Sequence, residues 1–283
     1  MNTIGHRVIV LVAWVLSALL IGFGSARADS SGSIETTYEL NVSGITVLDI
    51  EYSSEISATG YRSRASIDTR GVAALFSDYR MKMAASGALA DGQTSPVQYT
   101  SRSKKSDKTK AVELNWSEGA LTAPSRQLAK NPETQAEIVT ALTPGVTDPL
   151  TAIFRIGTSP NGNLCQAAHR IFDGKEVFEL RFSFKREVVL DASFPGAYHG
   201  TAYECRATYV PVAGKYATKF RKNEEVPPTY NVWLAPIGTD ASGGSRLVPI
   251  RATGRLDGLK FEAYASRVKV DGRPFKKISA TGN

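Results

Sequence analysis

The stretch Phe178-Glu179-Leu180-Arg181-Phe182-Ser183-Phe184-Lys185 alternates apolar and polar side chains without a break. A period of two puts Phe178, Leu180, Phe182 and Phe184 on one face of a strand and Glu179, Arg181, Ser183 and Lys185 on the other. The segment therefore predicts a half-buried β-strand with its phenylalanines inside. It follows Asp173-Gly174, which predicts a two-residue hairpin turn from Arg170-Ile171-Phe172.

The same rhythm runs along most of the chain. Tyr38, Leu40 and Val42 share a face, as do Val112, Leu114 and Trp116, and Leu259, Phe261, Ala263 and Ala265. Tyr79, Met81, Met83 and Ala85 do likewise, with Arg80 and Lys82 turned away. At Arg267 the phase flips, because Val268 and Val270 fall on the other parity, and this predicts a bulge or a strand end. Further strands are expected at Thr46 to Ser57, Tyr61 to Arg70, Val97 to Ser103, Ala202 to Val212, Tyr230 to Pro236 and Leu247 to Thr253. The 24 glycines and 13 prolines spread along 283 residues supply the turns. About a dozen strands are too many for one flat sheet. The expected fold is all-β with minor α: a single curved antiparallel sheet forming a half-barrel, barrel or β-spiral.

Helix is scarce. Gly71 to Phe76 predicts one short turn between strands. Asp148-Pro149-Leu150-Thr151-Ala152-Ile153-Phe154-Arg155 predicts a capped helix, with Asp148 accepting from free amides and Pro149 at the first helical position. Leu150, Ile153 and Phe154 give it an apolar stripe, which should cover the concave side of the sheet. Ser101 to Lys110, Pro124 to Thr143 with no clear period, Lys215 to Pro228 and Thr239 to Ser245 read as polar stretches between these elements.

Residues 1 to 28 combine a basic start at His6 and Arg7, an apolar run from Val8 to Phe23, and the small-residue ending Ala26-Arg27-Ala28. This is the layout of a cleaved secretory signal. The run of about 16 residues falls short of the roughly 20 that cross a bilayer core. Residues 29–283 then form a single β-rich periplasmic domain with a basic tail over about 271–283, and no spanning segment remains after cleavage. Removing the signal takes Arg7 and Arg27 from 34 basic residues and nothing from 27 acidic ones, leaving 32 against 27. Export gives Cys165 and Cys205, the two cysteines of the chain, a disulfide as their expected fate.

Catalytic patterns are missing. The mature part holds His169 and His199, thirty residues apart, too few and too distant for a zinc-protease helix, and no metal site is expected. Gly-x-Ser-x-Gly, the phosphate-binding loop and Gly-x-Gly-x-x-Gly do not occur. Glu224 and Glu225 precede Val226-Pro227-Pro228 and read as a solvated loop rather than a glycosidase pair. The basic stretches Arg102 to Lys110, Lys215 to Lys222 and Arg267 to Lys277 read singly as solvated hairpin tips. Gathered on one rim they would attract anionic lipid headgroups, cell-wall acids or other polyanions. Tyr99 and Trp116 alternate toward the core, so the exposed aromatic surface that single-stranded nucleic acid needs is not expected.

Four blocks carry a resemblance: Gly71-Val72-Ala73-Ala74-Leu75-Phe76-Ser77-Asp78-Tyr79; Asp148-Pro149-Leu150-Thr151-Ala152; Ile171-Phe172-Asp173-Gly174; and Cys205 followed by Tyr209-Val210-Pro211-Val212-Ala213-Gly214-Lys215. In this order and spacing, over roughly Ile34 to Val270, the chain resembles a bacterial envelope family catalogued as domain of unknown function family 3108. The resemblance implies a periplasmic protein of Gram-negative bacteria with no assigned enzymatic activity and no catalytic residues to carry over. It also implies an architecture similar to the half-barrel lipoprotein carriers and the β-spiral envelope-integrity proteins, a likeness of fold alone.

The functional expectation is a non-enzymatic envelope protein without a cofactor. Its apolar concave face (Tyr79, Met81, Met83, Leu150, Phe154, Phe178, Leu180, Phe182 and Phe184) would hold a lipidic or other hydrophobic ligand. The alternative is a structural or scaffolding protein acting through an envelope protein partner; a cell-wall hydrolase is the third reading.

Overall fold

The strand that carries Phe178 to Lys185 runs from Val177 to Leu190, five residues past the end of its clean alternation. A computed structural model describes residues 32–71, 73–74, 78–90, 93–122, 128–159, 165–191, 193–223, 225–239, 245–256 and 258–275. The expected signal segment, residues 276–283 of the basic tail, Glu224 and half of the Gly71 to Phe76 turn lie outside them.

Fifteen strands and three helices are described: β1 (Gly32–Val42), β2 (Ile45–Ile56), β3 (Gly60–Thr69), β4 (Tyr79–Ala90), β5 (Gln93–Lys105), β6 (Lys108–Ser117) and β7 (Ala120–Leu121); helices α1 (Pro132–Ala141) and α2 (Pro149–Gly157); β8 (Thr158–Ser159), β9 (Ala168–Phe172), β10 (Val177–Leu190) and β11 (Gly200–Ala213); helix α3 (Lys215–Lys222); then β12 (Thr229–Thr239), β13 (Ser245–Leu256), β14 (Leu259–Val270) and β15 (Arg273–Pro274). One antiparallel path orders thirteen of the strands β7-β6-β5-β4-β3-β2-β1-β14-β13-β12-β11-β10-β9, with β15 paired to β14 and β8 to β13. Two meanders thus join at a seam between the first and last long strands, where Ile34 pairs with Val270 and Val42 with Phe261. The phase flip at Arg267 is a bulge: Thr37 pairs with Arg267 but Tyr38 with Ala265, so Ser266 is the extra residue.

Among the described residues no hydrogen-bonded ladder joins the two ends of the sheet; packing brings them together. The Trp116 indole N–H on β6 donates to the Val146 carbonyl at 3.0 Å. Thr147 bridges Ile171 on β9 in parallel. Gly174, in the β9–β10 turn at φ +94°, leaves room for Val112 of β6 where a Cβ would come within 2.4 Å of it. That turn corrects the expected two-residue hairpin. Phe172 pairs with Val177, so four residues intervene, and the Asp173 carboxylate accepts from the Lys175 and Glu176 amides at 2.8 Å each.

The main core lies inside this curve and gathers Tyr52, Tyr99, Val112, Leu114 and Trp116 from the first meander with Ile138, Leu150, Phe172, Val177 and Ala213. Two smaller clusters fill the second meander, one around Ala202, Ala235, Val248, Ile250 and Val268, the other around the cysteines with Leu234 and Leu247.

Two helices occupy stretches expected to be polar connections. α1 repeats the signal of α2: Asn131 caps the Thr134 amide at 3.0 Å and Pro132 follows it, but only Ile138 is buried, so its apolar stripe is too thin to show. In α3, six of eight residues are Lys, Arg, Thr or Ala, and the Gly214 cap offers no side chain.

Candidate functional site

α2 forms as its residues dictate. The Asp148 carboxylate accepts from the Thr151 amide at 2.9 Å and the Thr151 hydroxyl at 2.5 Å, and that hydroxyl lies 2.6 Å from the Tyr61 hydroxyl of β3. Phe154 stacks on Tyr61 with ring centroids 4.3 Å apart. Beside them Tyr52, Ser54 and Ser63 form a hydroxyl chain with contacts of 3.5 and 3.1 Å. Burial pushes the Asp148 carboxyl above its ordinary range against the pull of Thr151, and burial raises the Tyr52, Tyr61 and Tyr99 phenols.

The nine residues expected on one concave face divide among several surroundings. Leu150 lies in the main core and Met83 packs against it; Phe154 is on Tyr61; the Tyr79 hydroxyl points at the Met81 sulfur, 3.2 Å away. Phe182 joins the cysteine cluster, whereas Phe178 stacks on Tyr209, which in turn meets Tyr216 of α3. Leu180 is half-buried and Phe184 is 43% exposed, so the expectation that all three phenylalanines point inside fails at the last of them. Cys165 and Cys205 are joined in a disulfide, with Cα atoms 5.9 Å apart.

α2 fills the concave side. The space left between it, β1–β2 and β13, lined by Ile34, Tyr52, Phe154 and Leu247 among others, is about 20 Å³. That volume is close to one water-sized sphere.

The larger space lies on the other face. Two rows of side chains cross the first meander at right angles to the strands. The first is Lys269, Glu35, Ser53, Arg64, Ala84, Thr100 and Glu113; the second is Arg267, Thr37, Glu51, Ser66, Lys82, Arg102 and Ala111. Between them runs a trough of 1030 Å³ whose floor is the backbone of the inward-facing row Thr36, Tyr52, Ala65, Met83, Ser101 and Val112. Small Ser, Thr and Ala side chains keep it open, and seven strands at about 4.8 Å each make it roughly 30 Å long.

Its charges are unevenly compensated. Lys269 pairs with Glu35 at 3.0 Å, Arg64 reaches Glu55 at 3.8 Å, and Glu51 and Glu113 accept from Ser66 and Gln98. Lys82 and Arg102 face each other across β4 and β5, and among the described residues neither they nor Arg267 has an acidic partner within 4.0 Å. Like charges directly opposite on a sheet cost stability. In the sequence Lys82 is only a side chain turned away from Met81 and Met83, because a cross-strand row cannot be composed without the register. Among the described residues no cluster of His, Cys, Asp or Glu is arranged to hold a metal ion.

A family profile described as "Protein of unknown function (DUF3108)" matches residues 37–255. The chain belongs to this family. The profile runs from within β1 to within β13 and so contains α2, the disulfide and all of the trough except Glu35, Thr36 and its β14 contributions. Comparison with curated proteins finds no match. Among solved structures, the chain is similar to the beta-barrel-like protein of domain of unknown function DUF1849 from Brucella abortus, at 12% identity over 85% of this chain and 97% of that one, with a TM-score of 0.43.

Proposed function

We propose that this member of the DUF3108 family is a non-enzymatic periplasmic envelope protein that acts as a scaffold through its outer sheet face, rather than a carrier that encloses a lipid. One observation carries the choice: about 20 Å³ remains under α2, against 1030 Å³ in the outer trough. Sites that bury a small hydrophobic molecule run to about 300–1,000 Å³. The uncompensated Lys82, Arg102 and Arg267 favour a partner protein that presents an acidic, extended segment across the strands. The signal-like residues 1–28 support export. Glu35 and Glu51 both face the trough, but each is already held by a neighbour on an open surface, which suits a salt-bridged sheet better than hydrolysis.

The test has two arms. Purified protein should take up no apolar fluorescent probe in stoichiometric amount and yield no equimolar lipid on extraction; a bound lipid at one per chain would restore the carrier reading. Lys82→Glu combined with Arg102→Glu should fold normally and fail to restore detergent resistance to a deletion strain. Full restoration by that variant would remove the trough from the function.

A further inference from the structure

The strand register places three hairpins at one end of the sheet. Val42 pairs with Ile45 and with Phe261, so the β1–β2 and β13–β14 tips lie side by side; Leu48 pairs with Thr69 and Tyr79 with Lys105, which brings the β5–β6 tip to the same end. The segment joining α3 to β12 ends there too, since Asn231 pairs with Thr253 just before the β13–β14 tip.

Two features coincide at this end. Ile45, Val226 and Leu259 are 52%, 85% and 54% exposed, one on each of three adjacent connections. Between those connections lies a cleft of 810 Å³, with Val226, Pro227, Pro228 and Phe261 on its walls and Arg255 and Lys260 on its rim. Arg255 donates to the Gly258 carbonyl at 2.9 Å, which holds its side chain beside the tip, and among the described residues it pairs with no acid. The β5–β6 hairpin adds four cations between Lys104 and Lys110 against the single acid Asp107.

Exposed apolar tips alone mark some interface. With Arg255 and Lys260 lining the cleft between them, they match the water–lipid boundary of an anionic bilayer, where phosphates meet Lys and Arg while short apolar side chains enter the acyl edge. We infer that this end of the molecule docks on an anionic membrane surface, with Ile45, Val226 and Leu259 entering the interface and Arg255 and Lys260 holding lipid phosphates at the mouth of the cleft. The inference is independent of the scaffolding role and does not use the trough.

Vesicle co-sedimentation tests it. The protein should bind vesicles of phosphatidylcholine mixed with phosphatidylglycerol, bind phosphatidylcholine alone weakly, and lose affinity as salt rises. Leu259→Asp, and separately Arg255→Glu with Lys260→Glu, should each weaken binding about tenfold or more while leaving the melting temperature within a few degrees. Leu259→Trp should shift its emission to the blue on vesicle addition, whereas Val189→Trp, on the exposed end of β10 away from these tips, should not. No binding to anionic vesicles by the folded protein, or binding that these variants leave intact, would overturn the inference. Binding abolished instead by Lys82→Glu with Arg102→Glu would assign the lipid contact to the outer face and overturn it as well.

Discussion

Asp148 is a fully buried carboxylate that caps α2, and its protons couple the helix to pH. Burial raises its folded pKa, so the unfolded chain gives up this proton first and the group's contribution to stability falls as pH climbs above about 4. Asp148→Asn keeps a cap without that titration, so the stability difference between variant and parent should change across this range in urea melts; parallel curves would show that Asp148 is ordinary. Asp148→Ala, which strips two hydrogen bonds from Thr151, should cost about 2 kcal/mol. His169 works from the acid side. Burial, then the nearby Arg155 charge, lower its pKa to about 4, and its Nε2 has no hydrogen-bond partner. Folded His169 resists protonation while the unfolded chain accepts it near 6.5, so stability is lost as pH falls from about 6.5 to 4, by up to about 3 kcal/mol. His169→Leu should remove that part of the acid sensitivity, as read from denaturation midpoints at pH 7 and 5.

Among the elements, α2 and β10 show what alternation can and cannot disclose. The Asp148-Pro149 start and the Leu150, Ile153, Phe154 stripe announce α2, and Leu150 and Phe154 are buried to 1% and 5% exposure, whereas Ile153 at the edge of the stripe is 37% exposed. On β10 the same kind of reading placed Phe178, Leu180, Phe182 and Phe184 on one side, and periodicity says no more than that. Cover comes from elsewhere: the disulfide cluster reaches Phe182, and nothing in the sequence near Phe184 says that it stops there. Phe154→Ala should therefore cost about 3–5 kcal/mol and Phe184→Ala less than about 1 kcal/mol; equal costs in chemical denaturation would contradict the assignment. α1 stayed hidden because one buried residue, Ile138, makes no stripe, although Asn131-Pro132 was a usable start signal. The disulfide ties residue 165, before β9, to the middle of β11. Cys205→Ser should lower the melting temperature, with roughly 4 kcal/mol as the chain-entropy bound for a 40-residue loop, and equal stability of oxidised and reduced protein would deny it a structural part.

At the scale of the molecule, closure depends on side chains where a full barrel would use a ladder. Gly174 is the tightest point of that closure, because it combines a left-handed φ with the Val112 contact. Gly174→Val should cost 2 kcal/mol or more, roughly the sum of backbone strain and a forced repacking; a change below 0.5 kcal/mol, about the level of a neutral surface substitution, would show that the two ends of the sheet do not lean on each other. The curl itself was legible in the count of strands, and the bulge at Ser266 in the phase flip. The order of strands was not, since the seam joins residues such as Glu35 and Lys269, 234 positions apart, and no local pattern encodes such a partnership. The seam has a consequence for biogenesis. Whether the polypeptide emerges from a ribosome or threads through a pore, its leading end comes out first, and the free border of β1 must wait for nearly the whole remainder to appear. Until then a row of amides and carbonyls is on offer to any passing strand, so a newly made copy needs a chaperone's shelter, or speed, more than a mature one ever does.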